Sequence, residues 1–141
     1  MFATRFLNDS VERNRIHVAE NGLEALALLR GSDTIPKVAM PCIVLLDLNM
    51  PKMNGFELLD ELKADETLAS IVTFVLSTSS DPVDIRACYE KGAAGFMSKE
   101  TIAQDFKLLV DFLSVFERLV TFCPDISSAV LCPEGLEYSG R

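Results

Sequence analysis

Residues 42–55 read CIVLLDLNMPKMNG, and this stretch decides the fold. Its first five residues lack any polar alternation, which is typical of a strand that is buried on both faces of a parallel sheet. Asp47 is the first polar residue after that run, and Asn54 with Gly55 predicts a turn just beyond it. Ligands of open α/β sheets bind at the carboxyl ends of the strands. The stretch therefore predicts a carboxylate at a ligand-binding edge, or alternatively an Asp that only caps the next turn.

The hydrophobic pattern on both sides of this stretch predicts alternating strands and helices. Strands are expected at 15–19, 42–46, 71–76 and 95–97. Helices are expected at 23–30, 56–64 and 82–91, followed by a last long one that opens at Thr101 or Ala103 and ends near Val120. This order calls for an α/β fold, a doubly wound parallel sheet with helices on both faces.

The composition argues against several classes of function. A chain of 141 residues is most simply one domain, and its net charge of −8 argues against nucleic acid as a partner, because phosphate binding needs clustered Lys and Arg. No stretch is long enough for a membrane span and no secretory signal is visible, so a cytoplasmic location is expected. Four cysteines without a close pair and a single His argue against disulfides, a zinc site and a His-based triad.

Three polar side chains follow three successive predicted strands: Asp47, Ser77 and Lys99. Each alone has an ordinary explanation, such as a helix cap or a solvated Lys. Together they are expected at one edge of the sheet, because the carboxyl ends of parallel strands meet there. An Asp carboxylate can attack a phosphoryl group, whose oxygens a hydroxyl and an ammonium can then bind. Mg²⁺, which prefers carboxylates, carbonyls and waters, would neutralise the approaching charges.

These motifs resemble a known family. The matching segments are DLNMPKMNG at 47–55, VLSTS at 75–79 and KGA at 91–93, together with Phe96 and Lys99. They resemble the receiver domain of bacterial two-component response regulators, and in detail the small single-domain regulators that serve phytochrome-type histidine kinases. The resemblance implies a flavodoxin-like, five-stranded doubly wound sheet. It predicts a receiver domain at 1–121 and a C-terminal extension at 122–141.

The resemblance also implies a role for each matching residue. Asp47 would be the phosphoacceptor, with Ser77 and Lys99 contacting the phosphoryl group. Phe96 would turn inward when Ser77 moves, and the two would form the switch. The backbone carbonyl of Asn49 would join Asp47 as a ligand of Mg²⁺. The implied function is a non-enzymatic phosphorelay step, with a sensor histidine kinase or a phosphotransfer protein as the partner.

Two departures from the family pattern stand out. Glu100 replaces the Pro that usually follows the active-site Lys. The N-terminus also lacks the apolar strand and the acidic pair that receivers place in the middle of the sheet. Instead, apolar residues at 2, 6, 7 and 11 predict a helix that ends near Asn14. An empty central position would leave two rows of backbone groups unpaired, which a folded core does not tolerate.

The C-terminal extension suggests one resolution. Residues 129–132 read AVLC and are expected to enter the central position as a parallel strand, through circular permutation or through exchange between two chains. Glu134 would then reach the metal site, with Glu137 as the fallback ligand. The alternative is a disordered tail on a truncated receiver.

Three functional hypotheses follow from these features. The leading one is a stand-alone phosphorylation switch that acts through protein contacts, including a homodimer formed by the amphipathic last helix or by strand exchange. The second is a degenerate receiver that is not phosphorylated and binds partners constitutively. The third is a phosphohydrolase with an Asp nucleophile, which Asn49 opposes, because such enzymes usually carry a second Asp at that position.

Overall fold

The computed structural model describes residues 4–8, 16–38, 42–50 and 52–123. Its strands are β1 (Thr4–Asn8), β2 (Ile16–Ala19), β3 (Cys42–Asp47), β4 (Val72–Ser77) and β5 (Gly95–Ser98). Its helices are α1 (Gly22–Arg30), α2 (Gly55–Ala64), α3 (Pro82–Glu90), α4 (Lys99–Gln104) and α5 (Phe106–Leu119). The strands form one sheet in the order β2-β1-β3-β4-β5.

Four of the five strands point in the same direction. β3, β4 and β5 pair in parallel. β1 is antiparallel to both β2 and β3, so β2 also runs in the direction of β3. The carboxyl ends of β2, β3, β4 and β5 therefore lie at one edge of the sheet. This arrangement confirms the predicted five-stranded α/β class with helices on both faces.

The central position of the sheet corrects the prediction for the N-terminus. Residues 4–8 form a strand rather than a helix, with Thr4 opposite Leu46 and Asn8 opposite Cys42. The expected entry of residues 129–132 as a parallel strand is wrong, because β1 already occupies that position; residues 129–132 themselves lie outside the described residues. The connection from β1 to β2 is too short for the crossover that parallel strands need, so the pairing is antiparallel.

The last predicted helix is divided into two. α4 ends at Gln104, and Asp105 caps α5 by accepting a hydrogen bond from the Leu108 N–H at 3.1 Å. An Asp at the start of a helix satisfies one of its free N–H groups and competes with helix continuation. Asp105 therefore ends one helix and begins the next, which the apolar periodicity alone does not indicate.

Two hydrophobic clusters cover the two faces of the sheet. Side chains of β3 alternate between them, which explains why its sequence has no polar positions. Val44 and Leu46 lie in the cluster with the helices α1 and α2. Ile43 and Leu45 lie in the cluster with α5, where the ring of Phe74 also packs. Among the described residues, no helix combines the length and the apolar character needed to cross a membrane.

The described cysteines are expected to differ sharply in reactivity. Burial raises the pKa of the Cys42 thiol to about 12, and burial also raises the pKa of the Cys88 thiol. Cys123 is exposed. Because the thiolate is the reactive form, an alkylating agent at neutral pH should modify Cys123 and spare Cys42 and Cys88 in the folded protein. Peptide mass spectrometry checks this, with protein unfolded in urea, where all three react, as the control. Equal labelling of Cys42 and Cys123 in the folded protein would contradict it.

Candidate functional site

Asp47 is the last residue of β3 and is only 4% exposed. Its oxygen Oδ1 accepts a hydrogen bond from the backbone N–H of Asn49 at 2.9 Å. Its oxygen Oδ2 contacts the ammonium group of Lys99. These two contacts fix the orientation of the carboxylate at the edge of the sheet.

Lys99 reaches Asp47 from the other side of β4. It is the first residue of α4, directly after β5, and Ser98 caps that helix. Its side chain is 23% exposed. A buried carboxylate is tolerated only when its charge is compensated, and removing one partner of a buried pair costs about 3–5 kcal/mol. Lys99 therefore stabilises the site as well as contributing a positive charge to it.

Ser77 lies beside this pair at the end of β4. Asp47 is opposite Leu76 in the parallel register, so Ser77 extends one residue beyond it. Ser77 is 1% exposed, and its Oγ accepts a hydrogen bond from the backbone N–H of Ser79 at 3.0 Å. The bond uses a lone pair of Oγ and leaves the hydroxyl hydrogen to be donated. The structure thus brings Asp47, Ser77 and Lys99 together at one edge, as the sequence predicts.

The loop between β3 and α2 approaches the backbone of Asp47 and Leu48 closely. The Gly55 N–H donates to the Leu48 carbonyl at 3.0 Å. A Cβ at Gly55 would lie 2.7 Å from the Leu48 Cα and 2.9 Å from the Asp47 carbonyl oxygen. Lys52 in the same loop has a left-handed φ of 64°, and the side chain of Asn54 caps α2. The pair Asn54-Gly55 therefore starts a helix, and only a glycine fits this close to the site.

Phe96 lies on β5, where its half-buried side chain packs against the cluster formed with α1 and α2. It is opposite Val75 of β4. Its backbone N–H donates to the hydroxyl of Tyr89 at 3.2 Å. Sequence reasoning missed Tyr89, because an exposed aromatic residue near the end of a helix gives no signal that its hydroxyl accepts a hydrogen bond from the next strand.

Ser79 links the site to α3. Its hydroxyl donates to Oδ2 of Asp84 at 3.0 Å and accepts from the backbone N–H of Asp81 at 3.2 Å. The sequence marks Asp81 as a helix cap, and its side chain accepts from the Val83 N–H at 2.9 Å. Asp84 was not predicted, since an acidic residue in the first turn of a helix is common for electrostatic reasons alone.

The described residues include only part of the predicted metal site. Of the predicted ligands, Asp47 and Asn49 are described, and no group of three His, Cys, Asp or Glu side chains among the described residues is placed to hold a metal ion. Because β1 is antiparallel, the end of it at the Asp47 edge is Thr4, which is not acidic. Glu134 and Glu137 lie outside the described residues. The predicted ligands in the described part, one carboxylate and one carbonyl, would fit Mg²⁺ incompletely.

The family model of the response regulator receiver domain matches residues 2–111. The chain belongs to the receiver-domain family. This receiver is 32% identical over 116 residues to the response regulator Rcp1 of Synechocystis, covering 82% of this chain and 79% of Rcp1. It is 33% identical over 100 residues to the two-component response regulator ARR17 of Arabidopsis thaliana, covering 67% of this receiver and 65% of ARR17.

Solved structures of related regulators match this receiver. The Mn²⁺-bound form of Rcp1 has a TM-score of 0.64 at 31% identity, covering 76% of this receiver and 78% of that chain. The phosphorylated cyanobacterial phytochrome response regulator RcpA has a TM-score of 0.63 at 35% identity, covering 72% of each chain. These similarities confirm the predicted relationship to two-component response regulators, including those of phytochromes.

Gly55→Ala should destabilise this receiver and displace its carboxylate. The added methyl group clashes with backbone atoms of Leu48 and Asp47, and such overpacking typically costs about 1–3 kcal/mol. Urea denaturation should show the loss, and the Asn49 amide resonance, which reports the bond to Asp47, should shift.

Gly92→Ala is the matched control. Its φ of 96° disfavours alanine, yet its Cβ would meet no atom within 4 Å. It should therefore lower stability without moving the Asn49 resonance. If the Asn49 amide has the same chemical shift in the Gly55→Ala variant as in the wild type, the inference that the turn at Gly55 positions the Asp47 carboxylate is contradicted.

Proposed function

We propose that this receiver is a phosphorylation switch, in which Asp47 accepts a phosphoryl group from a sensor histidine kinase or a phosphotransfer protein. The observation that supports this most is the convergence of three groups at one edge of the sheet. Asp47 is buried, oriented by an amide and paired with the Lys99 ammonium, and the Ser77 hydroxyl lies on the next strand. The function of the receiver family in two-component signalling agrees with this proposal.

The transfer step follows from the chemistry of these groups. A carboxylate oxygen of Asp47 attacks the phosphorus of a phosphohistidine, so an O–P bond forms as the P–N bond breaks. The electron pair of the broken bond stays on the imidazole nitrogen of the partner. Lys99 can then pair with one phosphoryl oxygen, and Ser77 can donate its hydroxyl hydrogen to another. The product is an acyl phosphate on Asp47.

A divalent cation, Mg²⁺ by this proposal, would be held by the Asp47 carboxylate and the Asn49 carbonyl. When bound, it supplies positive charge between the carboxylate and the phosphoryl oxygens. The similar regulator Rcp1 has been solved with Mn²⁺. Since the two predicted ligands among the described residues include one carboxylate, we propose that Glu134 completes the set and that affinity is reduced. Because β1 occupies the central position of the sheet, Glu134 would have to reach the metal site without a central strand at 129–132. Glu137 is the second choice.

Phosphorylation would act on the surface through Ser77 and Phe96. Movement of the Ser77 hydroxyl towards the phosphoryl group opens space near β5. Phe96 is half-buried beside the core and opposite Val75 of β4, so its ring can turn inward. The surface formed by α3, β5 and α5 would change accordingly, and partners that bind there would sense the modification.

One observation favours a second candidate, a receiver that binds partners without phosphorylation. Among the described residues, no group of three His, Cys, Asp or Glu side chains is placed to hold a metal ion, and the strand beside β3 brings Thr4 to the active edge instead of an acidic pair. In this alternative the ion pair of Asp47 and Lys99 would serve only the stability of the fold.

Intact mass after incubation with Mg²⁺ and acetyl phosphate separates the two candidates. The wild type should gain one phosphoryl group, and Asp47→Asn should gain none, because the amide lacks the nucleophilic oxygen charge. Glu134→Gln should be phosphorylated more slowly if the extension completes the metal site. Asp33→Asn, which changes an exposed carboxylate elsewhere, serves as the matched control.

Each outcome has a definite meaning. No mass gain in folded wild-type protein would reject the switch and favour the constitutive module. A gain that is unaffected by Glu134→Gln would keep the switch and reject Glu134 as a ligand.

We further propose that α5 pairs with α5 of a second copy. Four apolar residues on one side of this helix are exposed, although the ring of Phe112 also packs edge-on against Phe74. Their spacing of four, three and four residues is that of a helix-pairing seam: Leu108 (55%), Phe112 (39%), Val115 (47%) and Leu119 (79%). A self-complementary stripe of this kind suits a two-fold dimer. Because β1 fills the centre of the sheet, strand exchange is not needed for the pairing.

Val115→Glu should shift the protein from dimer to monomer, since it places a charge within the apolar seam. Light scattering after size-exclusion chromatography measures the mass over a range of concentrations. Ser114→Glu introduces the same residue on the polar side of α5 and should leave the mass unchanged. A monomeric wild type, or equal behaviour of the two variants, would reject the seam.

A further inference from the structure

A chain of hydrogen bonds connects Ser77 with α3. The backbone N–H of Ser79 donates to Ser77 Oγ at 3.0 Å, and the hydroxyl of Ser79 donates to Asp84 Oδ2 at 3.0 Å. The Asp81 N–H completes the arrangement by donating to Ser79 Oγ at 3.2 Å. Ser79 therefore holds the switch hydroxyl with its backbone and α3 with its side chain.

The opposite end of α3 is anchored by three consecutive residues. The hydroxyl of Tyr89 accepts the bond from β5 described above. The carbonyl of Glu90 accepts from Lys63 Nζ of α2 at 2.9 Å. Lys91 Nζ contacts both carboxylate oxygens of Asp60, also on α2, at 2.7 and 2.8 Å. The last turn of α3 is thus fixed to its neighbours, while its first turn is tied to the active edge.

We propose that Asp84 is a positioning residue that couples the Ser77 hydroxyl to α3 through Ser79. The inference rests on the proposed phosphorylation of Asp47. When Ser77 moves towards the phosphoryl group, the Ser79 amide follows its acceptor, and the bond from Ser79 to Asp84 draws the first turn of α3 with it. Because the last turn is anchored, the helix pivots. This route leaves Ser77 through the connection from β4 to α3, whereas the other passes from Ser77 to Phe96 on β5. The two meet at the anchored end of α3, where the Phe96 N–H donates to the Tyr89 hydroxyl.

Asp84 is better placed than Asp81 to couple Ser79 to α3, because the two carboxylates accept different hydrogen bonds. Asp81 uses its carboxylate to cap α3, so its effect is local to the helix start. Asp84 lies within the first turn of the helix, is half-buried, and accepts directly from the Ser79 hydroxyl. Hydrogen bonds to an ionised acceptor are roughly twice as strong as neutral ones, so this contact can transmit a displacement.

The test compares amide NMR spectra of the full chain before and after treatment with acetyl phosphate and Mg²⁺, with intact mass measured on the same samples. In the wild type, the amides of Val83, Ile85 and Phe96 should shift. In Asp84→Ala and in Ser79→Ala, the shifts at Val83 and Ile85 should fall by more than half, while the shift at Phe96 remains. Asp84→Asn, which keeps an oxygen acceptor, should restore part of the α3 response.

Arg86→Ala is the matched control. Arg86 lies on the same helix, and its pairing with Glu90 at 3.9 Å involves two well-exposed side chains, so its removal should leave the α3 response unchanged. A wild-type α3 response in phosphorylated Asp84→Ala and Ser79→Ala would overturn the role of Asp84. If the wild type gains no phosphoryl group, the mass shows that the proposed function has failed, and the coupling is rejected with it.

Discussion

The buried ion pair between Asp47 and Lys99 is the constraint on which the rest of the structure depends. A carboxylate that is 4% exposed cannot persist without a compensating charge, and its partner belongs to a helix that begins two strands away. The register of β3, β4 and β5 must therefore be correct to within a residue. The close turn at Gly55 follows Asp47, and the cap of α4 directly precedes Lys99. Together with the cap of α2, they fix the backbone next to the two side chains and keep them at the same edge of the sheet.

The parallel half of the fold could be predicted from the sequence because its signals are local and agree with one another. The apolar run before Asp47 belongs to a strand with partners on both faces, and Asp81 before Pro82 marks the start of α3. The predicted bounds of these elements lie within one residue of the observed ones. The site could be predicted in the same way. Each of the three polar residues lies at the carboxyl end of a parallel strand, and these ends lie at the same edge of the sheet.

Features that depend on contacts formed only in the folded chain could not be predicted. Residues 4–8 carry an apolar spacing that suits a helix, yet the unpaired backbone groups of β2 and β3 favour a strand there. Asp84 and Tyr89 look like ordinary residues of a surface helix, and their partners Ser79 and the Phe96 amide are known only once the chain is folded. Tertiary context overrides local preference at these positions.

The direction of β1 has a consequence for how this receiver can change by mutation. In a strand that runs with β3, residues after its end face the active edge, and acidic groups there can be gained without altering the strand. Here β1 begins at that edge, where Thr4 is opposite Leu46, and ends at Asn8 on the opposite edge of the sheet. Evolution or design that restores an acidic group beside Asp47 would have to act at the beginning of the strand. Changes after Asn8 alter the opposite end of the sheet.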